Sequence, residues 1–185
     1  VLNRAKVPEG ASVLVIGVGG IGLNVIQGAT LAGAAQIIAV DTNPAKKDIA
    51  LAFGATDFLE STDAVKDIAP NGVGYAFECV GHTKLIRAAI DLLDWEGTCV
   101  MLGVTGFTEE VSYVVSSMYL DKTIMGCRYG SSRPQDDVRK YVELYQRGRI
   151  KLDELVSRSY PLVDMKSAVH DMENGELAAC CVLTC

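Results

Sequence analysis

The sequence predicts an α/β protein built on a doubly wound parallel sheet, with a helical and strand tail at its C-terminal end. Three observations carry that prediction. Short β-branched apolar runs recur through the first two thirds of the chain, and each is bounded by Gly, Pro, Asn or Asp. Most of these runs are followed by a stretch with helical spacing, and alternating β-α-β units fold into a parallel sheet with right-handed crossovers. The first run enters a glycine-rich turn, and the second ends in an acid.

The elements follow in order. The opening VLNRAKV reads as the end of a helix and Lys6–Gly10 as the turn that stops it. Ser12–Ile16 is a buried strand, and residues 21–31 form a helix that Gly33 ends. Residues 36–41, QIIAVD, are the second strand. Asn43-Pro44 opens a helix to about Phe53, with Pro44 where a missing N–H is harmless. A short strand at 56–59, a helix at 61–68 and a loop at 70–72 come next. Tyr75–Val80 is the fourth strand, 83–93 its helix, and 97–103 the fifth strand. A short helix near 115–119 precedes a sixth strand within 122–128. The tail offers an amphipathic helix at 134–147, an extended stretch at 155–160, a helix at 163–173 and a final strand at 181–184. The expected division is a nucleotide-binding domain over 1–130 and a tail over 131–185.

Gly17, Gly19 and Gly22 have G-x-G-x-x-G spacing between a strand and a helix, the arrangement of a Rossmann dinucleotide site. Gly17 permits the tight turn, Gly19 lets a pyrophosphate approach the backbone, and Gly22 lets the helix pack on the strand. The helix N-terminus supplies free N–H groups and a positive dipole end. Asp41 stands 24 residues after Gly17, at the carboxyl end of the second strand. A carboxylate there accepts from both ribose hydroxyls and repels a 2′-phosphate, so the expected cofactor is NAD rather than NADP. Lys46, one helical turn on, either touches the same ribose or is a solvated surface lysine.

Composition narrows the rest. The chain has 185 residues, 49% hydrophobic and 22% charged, which suits one sizeable core. The net charge of −6, with no basic block, argues against nucleic acid. No apolar run nears the roughly 18 residues that span a bilayer. The six cysteines lack C-x-x-C spacing and there are only two histidines, so no metal site is expected within the chain. Cys79 and Cys99 read as reduced core residues, which suits a cytoplasmic setting. The first residue is Val1 and the chain opens in mid-helix, so a piece of a larger protein is expected.

Gly81-His82 and Gly103-Val104 follow the fourth and fifth strands, at the carboxyl ends where a doubly wound sheet binds ligand. His82 is open to three readings: a general base, a contact at the cofactor's edge, or a loop residue. His170 reads as solvated. No nucleophile elbow, H-E-x-x-H or paired-carboxylate pattern is present, so no catalytic residue is assigned.

The series GVGGIG, AVDTNPAK, FGATD, FECVG, MLGV and KTIMGCRYGSSRP resembles the medium-chain zinc-dependent alcohol dehydrogenases over nearly the whole chain, most of all the bacterial relatives of the glutathione-dependent formaldehyde dehydrogenases. The resemblance implies that Gly17, Gly19, Gly20 and Gly22 line the pyrophosphate and Ile21 backs the nicotinamide. It implies that Asp41 and Lys46 hold the adenosine ribose and that Val80 and His82 flank the adenine. Leu102, Val104, Cys127 and Tyr129 would border the nicotinamide, partly through backbone groups. The family's zinc ligands and proton relay would precede Val1, and the tail would complete a catalytic domain. An Arg that reaches the pyrophosphate in the family has no counterpart in GELAACCVLTC. The implied activity is zinc-assisted hydride transfer between an alcohol or an aldehyde adduct and NAD, with this chain alone inactive. The alternatives are a zinc-free quinone or enoyl reductase of the same superfamily and a stand-alone nucleotide-binding module. The apolar stretch 122–128 at the sheet edge, with the resemblance, implies a homodimer that buries Ile124 and Met125.

Overall fold

The computed structural model describes residues 1–185. Six parallel strands form the main sheet: β1 (Ser12–Ile16), β2 (Gln36–Val40), β3 (Asp57–Leu59), β4 (Val73–Glu78), β5 (Leu93–Met101) and β6 (Thr123–Gly126). Their order is β3-β2-β1-β4-β5-β6, so the chain reverses its direction of travel across the sheet between β1 and β4. Ligands of doubly wound sheets bind at the carboxyl edge of that switch point. Ile16 pairs in register with Val40 on one side and Glu78 on the other, which aligns the ends of the three central strands.

Four helices cover the sheet: α1 (Gly20–Ala32), α2 (Lys47–Ala52), α3 (Val65–Ile68) and α4 (Thr83–Asp91). Alternate strand residues serve opposite faces. Val13, Val15, Ile37, Ala39 and Phe77 pack with Leu23, Ile26 and Phe53 in one buried layer. Leu14, Ile16, Ile38, Val40 and Cys99 pack with Val65, Ile86 and Ile90 in the other. Because both faces are covered, the central strands are continuous apolar runs. Truncating a side chain as buried as Phe77 to Ala costs about 3–5 kcal/mol.

Several boundaries differ from expectation. Residues 2–5 form turns rather than a helix end. The helix expected from Pro44 to Phe53 is a 3-10 turn at Pro44–Lys46 followed by α2. β4 stops at Glu78 instead of Val80, because the Glu78 carboxylate captures the amides of the next residues. β5 starts at Leu93, not Gly97, and continues through a bulge in which Glu96 takes φ +57° and the register with β4 shifts. α4 ends at Asp91 with Leu92 as its C-cap, and only Leu93 of the expected helix passes to that strand. The sixth strand is confined to Thr123–Gly126, and a 3-10 helix at Val115–Leu120 precedes it.

The tail begins with α5 (Pro134–Gln146) and continues through β7 (Val156–Pro161), α6 (Met165–Glu173) and β8 (Cys180–Thr184). β7 and β8 form a separate parallel pair with a small buried cluster of Tyr160, Ala168 and Leu177. Gln27, buried on α1, clamps the tail to the main sheet. It donates to the Lys151 carbonyl at 3.2 Å and accepts from the Lys151 amide at 2.9 Å. No helix is long and apolar enough to cross a membrane.

Candidate functional site

The glycine turn leaves β1 through Gly17, whose φ of +93° is a left-handed value that glycine adopts without strain. A Cβ on Gly22 would stand 1.8 Å from the Gly17 carbonyl oxygen, so the close approach of α1 to the turn requires glycine there. A Cβ on Gly19 would meet nothing within 4 Å, which leaves an open cradle in front of the turn. No side chain caps the start of α1 and no acid lies in its first turn. Its leading amides therefore face that cradle without intrahelical acceptors.

Asp41 lies one residue past β2 and is only 10% exposed. Its Oδ2 accepts from the Val18 amide at 2.8 Å and from Lys46 Nζ at 3.0 Å, and its Oδ1 accepts from the Asn43 amide at 3.0 Å. The acid is thereby fixed to the glycine turn, and Oδ1 keeps a lone pair for a further donor. Asn43 caps the 3-10 turn that carries Lys46, accepting from the Ala45 amide at 3.0 Å.

Around this centre the predicted residues occupy different surroundings. Val80 touches the glycine turn, since a Cβ on Gly17 would lie 2.5 Å from its Cγ2. Leu102 and Cys127 pack on the core layer beneath the turn. Ile21 and Val80 are each 51% exposed, Val104 85% and Tyr129 83%, so four apolar side chains at this end of the sheet lack protein cover. Tyr129 stands apart at the rim, its ring 5.4 Å from the Arg128 guanidinium. His82 serves as the N-cap of α4, where its Nδ1 accepts from the Lys84 amide at 3.2 Å. His170 is exposed and bonds Asn174.

Two features of the site escape a reading of the sequence. Glu78 is fully buried at the end of β4, and its carboxylate binds the turn that follows. The readable signal is a lone acid inside the apolar run YAFEC, just before Gly81. The tail also crosses the site. Asn43 Nδ2 donates to the Gly175 carbonyl at 3.3 Å, and Cys180 Sγ lies 2.9 Å from where a Cβ on Gly20 would be. Burial pushes the Cys79 thiol pKa up, helped by Glu78, and raises that of Cys99 from 9.0 to about 12.

The open cradle, the free amides and the fixed acid fit a dinucleotide. No three His, Cys, Asp or Glu side chains converge as metal ligands, so these residues do not fit a zinc ion.

A parallel sheet with a glycine turn at its switch point and an acid after the second strand defines a dinucleotide-binding α/β domain. The pattern of the zinc-binding dehydrogenases matches residues 20–147, and the chain belongs to that family. It is 37% identical over 183 residues to the S-(hydroxymethyl)glutathione dehydrogenase of Haemophilus influenzae, covering 94% of this chain and 48% of that protein. Benzyl alcohol dehydrogenase from Acinetobacter calcoaceticus superposes with a TM-score of 0.90 at 28% identity, over 96% of this chain and 50% of that one. A zinc-binding dehydrogenase from Sinorhizobium meliloti, solved bound to NADP, gives a TM-score of 0.82 at 25% identity, over 91% of this chain and 51% of that one. The chain spans about half the length of the curated relatives it matches. The resemblance read from the motifs and the α/β fold class are therefore borne out.

Proposed function

We propose that this chain is the NAD-binding portion of an alcohol or aldehyde-adduct dehydrogenase of the zinc-dependent type, working in the cytoplasm as a homodimer. One observation carries the reading: Asp41, tied to the Val18 amide, stands beside the uncapped start of α1 and the open face of Gly19. When bound, the nicotinamide supplies the hydride-accepting chemistry. This chain's residues bind and orient. The first-turn amides of α1 take the pyrophosphate, Asp41 Oδ1 takes a ribose hydroxyl, and Lys46 is held beside it. The exposed Ile21, Val80 and Val104 side chains provide apolar cover for the rings and exclude water. Residues 1–130 bind the coenzyme, and 131–185 form the tail. The similarity to the Haemophilus enzyme supports an alcohol or aldehyde adduct as the substrate class.

Calorimetric titration of NAD and NADP into the chain tests this. NAD is expected to bind at least about tenfold more tightly, about 1.4 kcal/mol. Equal affinities would remove the role given to Asp41, and no binding of either nucleotide would remove the reading.

A further inference from the structure

Glu78 is fully buried, yet it takes part in none of the chain's ion pairs, which join Lys46–Asp41, Arg87–Asp91, Lys151–Glu154 and Arg158–Asp171. Its charge is satisfied by peptide amides instead. Oε1 accepts from Val80 at 3.0 Å, Gly81 at 2.8 Å and His82 at 3.5 Å, and Oε2 shares the Gly81 amide at 3.1 Å. Its main-chain carbonyl accepts from the Leu102 and Gly103 amides at 2.9 and 3.0 Å. One residue therefore holds the turn after β4 with its side chain and the turn after β5 with its backbone. The two turns interlock, since a Cβ on Gly103 would lie 1.9 Å from the Gly81 nitrogen and a Cβ on Gly81 would lie 2.4 Å from the Val104 carbonyl oxygen. Val80 in turn rests against Gly17. Val80 and His82, two of the side chains assigned to the coenzyme, thus depend for their placement on one carboxylate, and the turn carrying Leu102 and Val104 packs directly on the turn that carboxylate holds.

We infer that Glu78 is a positioning residue of the coenzyme site, acting by accepting the Val80 and Gly81 amides and not through its charge. The inference rests on the dinucleotide reading above. A bare Coulombic role would need the negative charge, whereas positioning needs an acceptor at the same reach.

Glu78→Gln keeps a carbonyl oxygen at that reach and removes the charge. Glu78→Asp keeps the charge and withdraws it by one methylene. NAD is titrated calorimetrically into the full 185-residue chain and both variants, and exchange of the Gly81 amide is followed by NMR. The Gln variant is expected to bind within about threefold of the unmodified chain, and the Asp variant at least about tenfold more weakly. The Gly81 amide is expected to exchange at least about tenfold faster in the Asp variant alone. An Asp variant that binds as tightly as the Gln variant would overturn the inference. So would a tenfold loss in the Gln variant, which also decides the matter if the Asp variant does not fold. If the unmodified chain does not bind NAD, the functional reading fails by itself. Positioning is then judged on exchange, and an equally protected Gly81 amide in the Asp variant overturns it.

Discussion

The carboxylate of Asp41 holds the amide of Val18 at 2.8 Å, so the acid after β2 is also the clasp of the glycine turn after β1. Val18 is fully buried, and its N–H is paired with this carboxylate. On the proposed function, cofactor selectivity and turn geometry would be joined in one side chain.

Asp41→Ala is expected to act on both. The orphaned Val18 amide should lower stability by about 1–3 kcal/mol in urea denaturation. Lys46, freed from its ion pair, becomes available to a 2′-phosphate, so the preference for NAD over NADP should shrink or reverse in titrations. A variant that retains its selectivity would show that Asp41 does not read the ribose.

Two glycines of the same turn should respond in opposite ways. Gly22→Ala puts a methyl 1.8 Å from the Gly17 oxygen and forces α1 off the sheet, at a cost of about 3 kcal/mol or more. Gly19→Ala points into open space from a φ of −104°, so its stability should change by no more than about 0.5 kcal/mol. The same methyl should weaken NAD binding at least about tenfold, because it occupies the phosphate's approach. Chemical denaturation and calorimetry on both variants check the contrast, and unimpaired NAD binding by Gly19→Ala would contradict the placement of the cradle.

The thiols give a pH signature. The pKa of Cys99 is about 12 in the fold against 9.0 ordinarily, so the unfolded chain loses this proton first as pH rises. Its contribution is complete below pH 9 and declines between 9 and 12. Cys99→Ala, which starts less stable because of its cavity, should lose stability less steeply than the unmodified chain in melts from about pH 7 to 10.5. Parallel curves would argue against a buried thiol. At neutral pH the exposed Cys180 and Cys185 should react first with a thiol reagent. Saturating NAD should slow Cys180 selectively, because its Sγ lies over Gly20.

The outer edge of β6 is unpaired, and Val114, Val115 and Tyr119 are exposed in the segment before it. Ile124 and Met125 already pack on opposite core layers, so a partner would join through the strand's main chain and not by burying these two side chains afresh. Light scattering at micromolar concentration should give twice the chain's 19.8 kDa, and a monomer would refute edge-to-edge pairing.

The glycine turn, Asp41 and the order of strands and helices were legible in the residues, because their causes are local. A buried parallel strand needs a continuous apolar run, a tight turn needs glycine, and Pro44 and Gly33 punctuate helices through their own backbone limits. The sequence by itself determined the fold class, the family resemblance and the end of the sheet at which a ligand belongs. Tertiary structure alone decided which polar groups meet. Glu78 became the anchor of two turns because β4 ends between β1 and β5, where no water can satisfy its carboxylate. His82 became the cap of α4, because that helix starts beside its ring nitrogen. Cys180 came to rest on Gly20, 160 positions away, because Gln27 fastens the tail to α1. Such pairings depend on distances through space that spacing along the chain does not encode.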